Sequence, residues 1–144
     1  MRNLMAVCGV AALVAGVAAA QAAKSQTVNG LQITVTGVER MEKASLRDCP
    51  PASNTVNAVE RPGDQLSVVK LAFKVLPGFK GGPMKRPVAT AADGTTYNTS
   101  VQFVDVGSVP EYSCEFVYRV PRGTVLKSLQ VESATFDLPP LADK

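Results

Sequence analysis

The side chains that most often carry out chemistry in proteins are scarce in this sequence. It contains no histidine, which removes the commonest general base, the commonest metal ligand and the usual partner of a nucleophilic serine. No stretch spaces its acidic residues like the calcium-binding loop of an EF-hand. The composition therefore predicts a protein that is not an enzyme and that holds no cofactor and no metal ion.

The cysteines are the second group with chemical potential. Cys8 lies inside an apolar N-terminal run, whereas Cys49 and Cys114 lie in the rest of the chain. Two cysteines in an exported chain indicate one disulfide, so we expect Cys49 and Cys114 to pair. The alternative is a thiol-active envelope enzyme that uses the same two residues, although they form no Cys-x-x-Cys motif and have no histidine beside them.

The stretch LPGFKGGPMKRP, residues 76–87, concentrates glycines, prolines and cations. It lacks the Gly-x-x-x-x-Gly-Lys-Ser/Thr pattern of a phosphate-binding loop and does not lead into a helix. One interpretation is a connection between strands whose cations are solvated. The other is a loop that binds an acidic partner. The residues of this possible partner-binding loop are Phe79, Lys80, Met84, Lys85 and Arg86.

Residues 1–22 have the pattern of a cleaved signal peptide. A cation at Arg2 precedes an apolar run, and Ala20-Gln21-Ala22 is a small-x-small cleavage pattern. We therefore expect an exported protein, periplasmic or secreted, that has no stable membrane insertion after cleavage and retains residues 23–144 as one domain. Cleavage removes only Arg2 among the charged residues, so the net charge falls from +3 to +2. This balance makes no case for binding nucleic acid.

Alternating polarity predicts that the domain is built from strands. Apolar side chains occupy every second position in Leu31–Val35, Gln65–Leu76 and Cys114–Val120. Gly37 predicts the end of the first strand or a bulge in it. Asp93-Gly94 predicts a β-hairpin between the segments on either side of it.

A further strand is predicted for Val101–Val106, and the last strand or pair of strands for Val125–Phe136. By contrast, Glu39–Gly63 has no periodicity and is interpreted as a long loop. No segment of the domain holds a helical period. The expected architecture is an all-β antiparallel sandwich of about six to eight strands with one disulfide.

The order of several motifs resembles a known family. VNGLQITVTGVE, LSVVKLAFKV, DGTTYN, CEFVYRVPRGT and LKSLQVE follow one another in the chain. This order is similar to that of the small exported immunoglobulin-like domains of unknown function found in bacterial lipoproteins and secreted antigens. The resemblance covers nearly all of residues 23–144. It implies an immunoglobulin-like β-sandwich and carries over no catalytic residue.

The expected function is a non-catalytic exported binding or accessory domain of the bacterial cell envelope. Its expected partner is another envelope or extracellular protein. The alternatives are the thiol-active enzyme and a structural envelope component that associates with itself through a sheet edge.

Overall fold

The computed structural model describes residues 24–51, 55–104 and 109–142, so the predicted signal peptide, residues 1–22, lies outside the described residues. Within these ranges no helix is long and apolar enough to cross a membrane. The described strands are β1 (Ser25–Val28), β2 (Leu31–Met41), β3 (Lys43–Leu46), β4 (Val56–Val59), β5 (Asp64–Val75), β6 (Val88–Ala91), β7 (Thr96–Asn98), β8 (Glu111–Pro121), β9 (Leu126–Val131) and β10 (Ala134–Asp137).

Eight of these strands form two antiparallel sheets. Sheet 1 has the order β1-β2-β5-β8 and sheet 2 has the order β10-β9-β6-β7. β3 and β4 pair only with each other and form a separate two-stranded ribbon. The prediction of an all-β antiparallel sandwich is confirmed. The two sheets hold eight strands, within the predicted six to eight. The sequence pattern did not reveal β1 or the ribbon strands β3 and β4, because each has only four residues and shows too little alternation to be recognised.

The main core lies between the two sheets. In β5, Val69, Leu71 and Phe73 point inward, as the alternation predicted. In sheet 2, Leu129 and Phe136 belong to the same buried cluster. Full burial of side chains of this size contributes about 1.5–3 kcal/mol each, so this alternation is the main reason that the two sheets stay packed.

β2 is longer than its sequence pattern indicated, because Gly37 lies at a bulge and does not end the strand. The register between β2 and β5 shifts between Val35 and Gly37, which leaves Thr36 as the extra residue. The bulge turns Val38 inward beside Val35, although a regular strand would point residues three apart to opposite faces.

The segment Glu39–Gly63 was wrongly predicted to be one irregular loop. It contains the end of β2, all of β3 and β4, and the turn before β5. The β3–β4 ribbon covers the outer face of sheet 1, where Ala44 packs with Leu66, Val68 and Val117 in a second buried cluster. This half of β5 is therefore buried on both faces, which explains why the five consecutive residues 65–69 are all buried, the polar Gln65 and Ser67 included.

The strand predicted for Val101–Val106 is also wrong over its described part. Only Phe103 makes a β-bridge, which is parallel and joins it to Cys49. The backbone N–H of Cys49 donates to the oxygen of Gln102 at 2.9 Å, and that of Val104 donates to the oxygen of Cys49 at 2.9 Å. Val101 and Phe103 are buried, so the apolar alternation reflects packing against the core without a strand.

Candidate functional site

Residues 76–87, which we call the basic loop, connect β5 of sheet 1 to β6 of sheet 2. Its first half is fixed against the β1–β2 turn, because the Leu76 N–H donates to the Gly30 oxygen at 2.9 Å. The Phe79 side chain is half-buried and packs against the main core. A Cβ atom placed on Gly30 would lie 2.9 Å from the Cα of Phe79. Phe79 therefore anchors the loop to the sandwich.

The second half of the basic loop is fixed at three further points. Met84 is half-buried and packs against the main core. The Lys85 N–H donates to Oε1 of Glu132 in the β9–β10 turn at 2.7 Å, and the Arg86 guanidinium donates to Oε1 of Gln102 at 3.2 Å.

The loop ends at Pro87, whose oxygen accepts a hydrogen bond from the Tyr118 hydroxyl at 2.9 Å. Burial raises the pKa of the Tyr118 hydroxyl, so the hydroxyl stays protonated and able to donate at neutral pH. Both ends of the loop are therefore held by the sandwich.

The cations of the basic loop differ from those of sheet 1 in lacking ion pairs. Lys80, Lys85 and Arg86 are exposed, and within the described part of the chain none of them forms an ion pair. By contrast, Lys70 and Lys74 of β5 both pair with carboxylates. Between the loop cations, Gly81 and Gly82 have φ values of 72° and 107°, a conformation that residues with a side chain rarely adopt. The tip therefore carries a local excess of positive charge.

The predicted disulfide between Cys49 and Cys114 is confirmed. Cys49 is 0% exposed and Cys114 is 4% exposed, and their Cα atoms are 5.7 Å apart. Cys114 lies in β8, whereas Cys49 lies in the segment that follows β3, between the two strands of the ribbon. The bond therefore ties that segment to the edge of sheet 1.

A cleft of about 540 Å³ lies between the segment after β3 and the outer face of sheet 1. We call it the outer cleft. One wall carries Ser45, Arg47 and Asp48, and the floor carries Lys70, Ser113 and Glu115. Sequence reasoning missed this cleft, because it exists only where the ribbon lies over β5 and β8. Its volume is within the range of small-molecule sites in proteins.

The charges of the outer cleft are unequally paired. Lys70 Nζ lies 3.0 Å from Glu39 Oε2 and 3.5 Å from Glu115 Oε1. The hydrogen bond to Glu39 raises the pKa of Lys70 above its usual value, although desolvation opposes it. Arg47 and Asp48, in contrast, form no ion pair or side-chain hydrogen bond with any described residue.

Neither the cleft nor any other part of the described chain brings together three or more histidine, cysteine, aspartate or glutamate residues that could hold a metal ion. The arrangement in the cleft can hold a ligand by charge and hydrogen bonding. Its hydroxyl groups belong to Thr36, Ser45 and Ser113, and the chain has no histidine that could activate one of them as a nucleophile.

Comparison with solved structures identifies one similar protein at the level of the fold. The chain is similar to an uncharacterised β-sandwich protein from Clostridium difficile 630, with a TM-score of 0.52 over 85% of this chain and 89% of that chain. The fold is a β-sandwich. The two sequences are 12% identical, so the likeness concerns the fold alone. No protein-family model matches the chain. No curated protein sequence matches it either.

Proposed function

We propose that this chain is a non-catalytic exported binding or accessory domain of a bacterial cell envelope, periplasmic or secreted, that uses its basic loop to contact an acidic surface of another envelope or extracellular protein. The proposal includes an immunoglobulin-like type of sandwich, which is supported by the order of its sequence motifs. Export is supported by the disulfide, since such bonds persist in oxidising compartments.

The observation that carries the proposal is that the cations of the basic loop are exposed and form no ion pair within the described residues. Lys80, Lys85 and Arg86 lie within seven residues of one another and are exposed, and none of their side chains forms an ion pair with a carboxylate of the described residues. The loop that holds them is attached at both ends by buried side chains and hydrogen bonds. A preorganised charged surface loses less conformational freedom on binding and accelerates the encounter with a partner of opposite charge.

The structure counts against one alternative function, the thiol-active enzyme, and favours the other, the self-associating envelope component. Burial of both sulfurs in a formed disulfide counts against the thiol-active enzyme, because reactive cysteines need exposure and a stabilised thiolate. The self-associating component is favoured by one observation, which is that Val56 and Val59 of β4 are 65% and 51% exposed. An exposed apolar strand at an edge can pair with a second chain.

The test compares cross-linked partners of the tagged chain in its native envelope. One variant reverses the loop charges, with Lys80→Glu, Lys85→Glu and Arg86→Glu. The matched control is Lys43→Glu, Arg61→Glu and Lys127→Glu, which reverses three exposed cations outside the loop that also lack an ion pair within the described residues. Both variants change the net charge equally, so a difference between them reports the position of the charges.

We expect the wild type and the control variant to capture the same protein, and the loop variant to capture at least about tenfold less of it, because like charges across an interface are strongly unfavourable. Equal capture by all three chains would show that the loop is not the binding surface. If none of them captured a partner, the binding-domain proposal would be wrong. Sedimentation of the wild type at several concentrations would then test association through β4.

A further inference from the structure

We infer that the outer cleft is a binding site for a short peptide with two free ends, a molecule of no net charge that carries one ammonium group and one carboxylate. The cleft shares no residue with the basic loop, so the inference does not depend on the proposed partner. It rests on the balance of charge in the cleft, on two charged side chains that lack partners and on the hydroxyl groups that line the same space.

The residues that line the cleft have no net charge. Two of them, Arg47 and Lys70, are cations, and two others, Asp48 and Glu115, are carboxylates. A lining of balanced charge exerts no net attraction on a ligand with a net charge of either sign. The ligand that fits is therefore neutral overall, either because it has no charged group or because its charges cancel.

Two of these four charged groups already satisfy each other. Lys70 and Glu115 lie directly opposite one another on β5 and β8, and Lys70 Nζ is 3.5 Å from Glu115 Oε1. Lys70 Nζ also lies 3.0 Å from Oε2 of Glu39, which does not line the cleft. The Lys70–Glu115 pair is therefore a neutral part of the floor and offers little to a charged group of a ligand.

The other two charged groups, those of Arg47 and Asp48, lack partners. Neither forms an ion pair or a side-chain hydrogen bond with any described residue, and although they are neighbours in sequence they do not pair with each other. Asp48 is half-buried, and partial burial without a partner is unfavourable for a charge. A ligand carboxylate on Arg47 and a ligand ammonium group on Asp48 satisfy both side chains through charge-assisted hydrogen bonds, whereas an uncharged ligand leaves both without a counter-charge.

The separation of the two unpaired charges favours a peptide over a single amino acid. Because Arg47 and Asp48 do not pair with each other, their charged groups lie farther apart than two groups in ion-pair contact. A free amino acid carries its ammonium group and its carboxylate on one carbon atom, whereas each added residue of an extended peptide separates the two ends by roughly a further 3.3–3.6 Å. The cleft, at about 540 Å³, is large enough for a chain of two or three residues.

Three hydroxyl side chains line the cleft and suit the amide groups of a peptide backbone. Ser113 is exposed on the floor and makes no side-chain hydrogen bond within the described chain, so its hydroxyl can donate to a carbonyl or accept from an N–H. Ser45 donates to Asn57 Oδ1 at 3.4 Å, and Thr36 donates to the Lys70 backbone oxygen at 3.1 Å. The oxygens of both hydroxyls can still accept a hydrogen bond from a peptide N–H.

The wall and the floor of the cleft are held in place by the fold. Asp48 immediately precedes Cys49, which the disulfide ties to Cys114 of β8. Lys70 and Ser113 belong to the paired strands β5 and β8. A site on such rigid elements positions its polar groups without a large loss of conformational entropy on binding.

The experiment titrates the disulfide-bonded chain with four forms of trialanine, a peptide whose only charges are at its two ends. The free peptide has both charged ends, the N-acetylated peptide lacks the ammonium group, the C-terminal amide lacks the carboxylate, and the doubly capped peptide lacks both. We expect saturable binding of the free peptide that is about tenfold tighter than that of either singly capped peptide, because each cap removes one pair of charge-assisted hydrogen bonds. Free L-alanine should also bind about tenfold more weakly, since it cannot reach both side chains. The affinity of the free peptide should fall as salt is added.

Two variants assign the ends of the peptide. Arg47→Gln should weaken binding of the free peptide about tenfold and leave binding of the C-terminal amide unchanged, because the amide has no carboxylate to place on Arg47. Asp48→Asn should weaken binding of the free peptide by a similar factor and leave binding of the N-acetylated peptide unchanged. The matched controls are Arg61→Gln and Glu42→Gln, which remove an exposed cation and an exposed acid that do not line the cleft. Both controls should bind all the peptides as the wild type does.

The inference fails if free trialanine does not bind at concentrations up to about 10 mM, or if the doubly capped peptide or L-alanine binds as tightly as the free peptide. It also fails if the free peptide binds either Arg47→Gln or Asp48→Asn as tightly as it binds the wild type. The melting temperature and the intact mass of each variant show whether the fold and the disulfide are retained. Because Arg47 is exposed and does not adjoin Cys49, its variant keeps the test valid if Asp48→Asn disturbs the disulfide.

Discussion

Gly30 of the β1–β2 turn lies directly against the backbone of Phe79 in the basic loop, so closely that a Cβ atom on Gly30 would be 2.9 Å from the Phe79 Cα. Asn29 and Gly30 have φ values of 50° and 80°, which is the conformation of the tight Asn-Gly turn of a two-residue hairpin. The same glycine thus serves a local turn and a contact with a residue 49 positions later in the chain.

This contact predicts that Gly30→Ala is more destabilising than an ordinary glycine replacement. We expect a loss of about 3 kcal/mol in the free energy of unfolding, because a positive φ with a side chain costs roughly 1–2 kcal/mol and displacing the Phe79 backbone adds a similar amount. Denaturant titration measures the change.

The matched control is Gly63→Ala. Gly63 has a φ of 85°, but a Cβ atom there would meet nothing within 4 Å. The free energy of unfolding of Gly63→Ala should fall only by the cost of a positive φ with a side chain, about 1–2 kcal/mol. Equal losses in the two variants would show that the contact between Gly30 and Phe79 contributes nothing to stability. Faster proteolysis at Lys80 in Gly30→Ala would show that the basic loop has been released.

The ribbon predicts a contrast between neighbouring residues of β3. Ala44 is 4% exposed and packs on Leu66 and Val117, whereas Lys43 points to solvent. Ala44→Asp should destabilise the protein by about 3 kcal/mol, because it buries an unpaired charge. Lys43→Asp should change stability by less than about 0.5 kcal/mol. Both values come from thermal or denaturant unfolding.

Hydrogen exchange measures which strands lose amide protection in the Ala44→Asp variant. We expect the amides of β3 and β4 to lose protection first, since the ribbon pairs with neither sheet. Uniform loss of protection across both sheets would contradict the view of the ribbon as a separate layer.

Tyr112 predicts a specific loss of stability at alkaline pH. Desolvation raises its pKa to about 12, and its buried hydroxyl has no hydrogen-bond partner among the described residues. The pKa of Tyr112 is higher in the folded protein than the unfolded value of 10.0, so the protonated hydroxyl contributes to the stability of the folded state. This contribution is fully present below pH 10 and is lost as the pH rises toward 12. We expect a decrease on the order of 1–2 kcal/mol over this interval.

Tyr112→Phe isolates this contribution. The ring stacks on Phe73 with centroids 4.9 Å apart, and phenylalanine preserves that contact while it removes the ionisable group. Unfolding measured at pH 8 and at several values from 10 to 12 should show a shallower alkaline decline in the variant. Superimposable pH profiles would mean that Tyr112 does not ionise over this range in the unfolded chain or that its environment does not disfavour the anion.

The disulfide predicts a large difference between oxidised and reduced protein. Cys49 and Cys114 are 65 positions apart, and closing a loop of this length stabilises the fold by about 4 kcal/mol in the chain-entropy model. We expect the double variant Cys49→Ala and Cys114→Ala to match the reduced wild type in its denaturant midpoint. Intact-mass measurement after alkylation under mild reductant should show that the native bond resists opening, since both sulfurs are buried. Rapid opening would favour the thiol-active alternative.

The sequence by itself determined the parts of the fold that depend on neighbouring residues. β2, β5 and β8 alternate apolar and polar side chains, and this period is the same whatever the strands pair with. The turn between β6 and β7 follows from Asp93-Gly94, where Asp93 Oδ1 accepts the Thr95 N–H at 2.9 Å. The Asn29-Gly30 turn carried an equally strong hairpin signal that could have revealed β1.

Only the tertiary structure decided where the ribbon lies, which way Phe79 points and that the outer cleft exists. Four-residue strands such as β3 and β4 are too short to show a period, and they are stabilised by contacts with residues distant in sequence, such as Leu66 and Val117. The cleft likewise brings Asp48, Lys70 and Ser113 together from three separate segments. Local patterns predict which face of a strand is apolar, whereas the partner that covers that face depends on long-range packing.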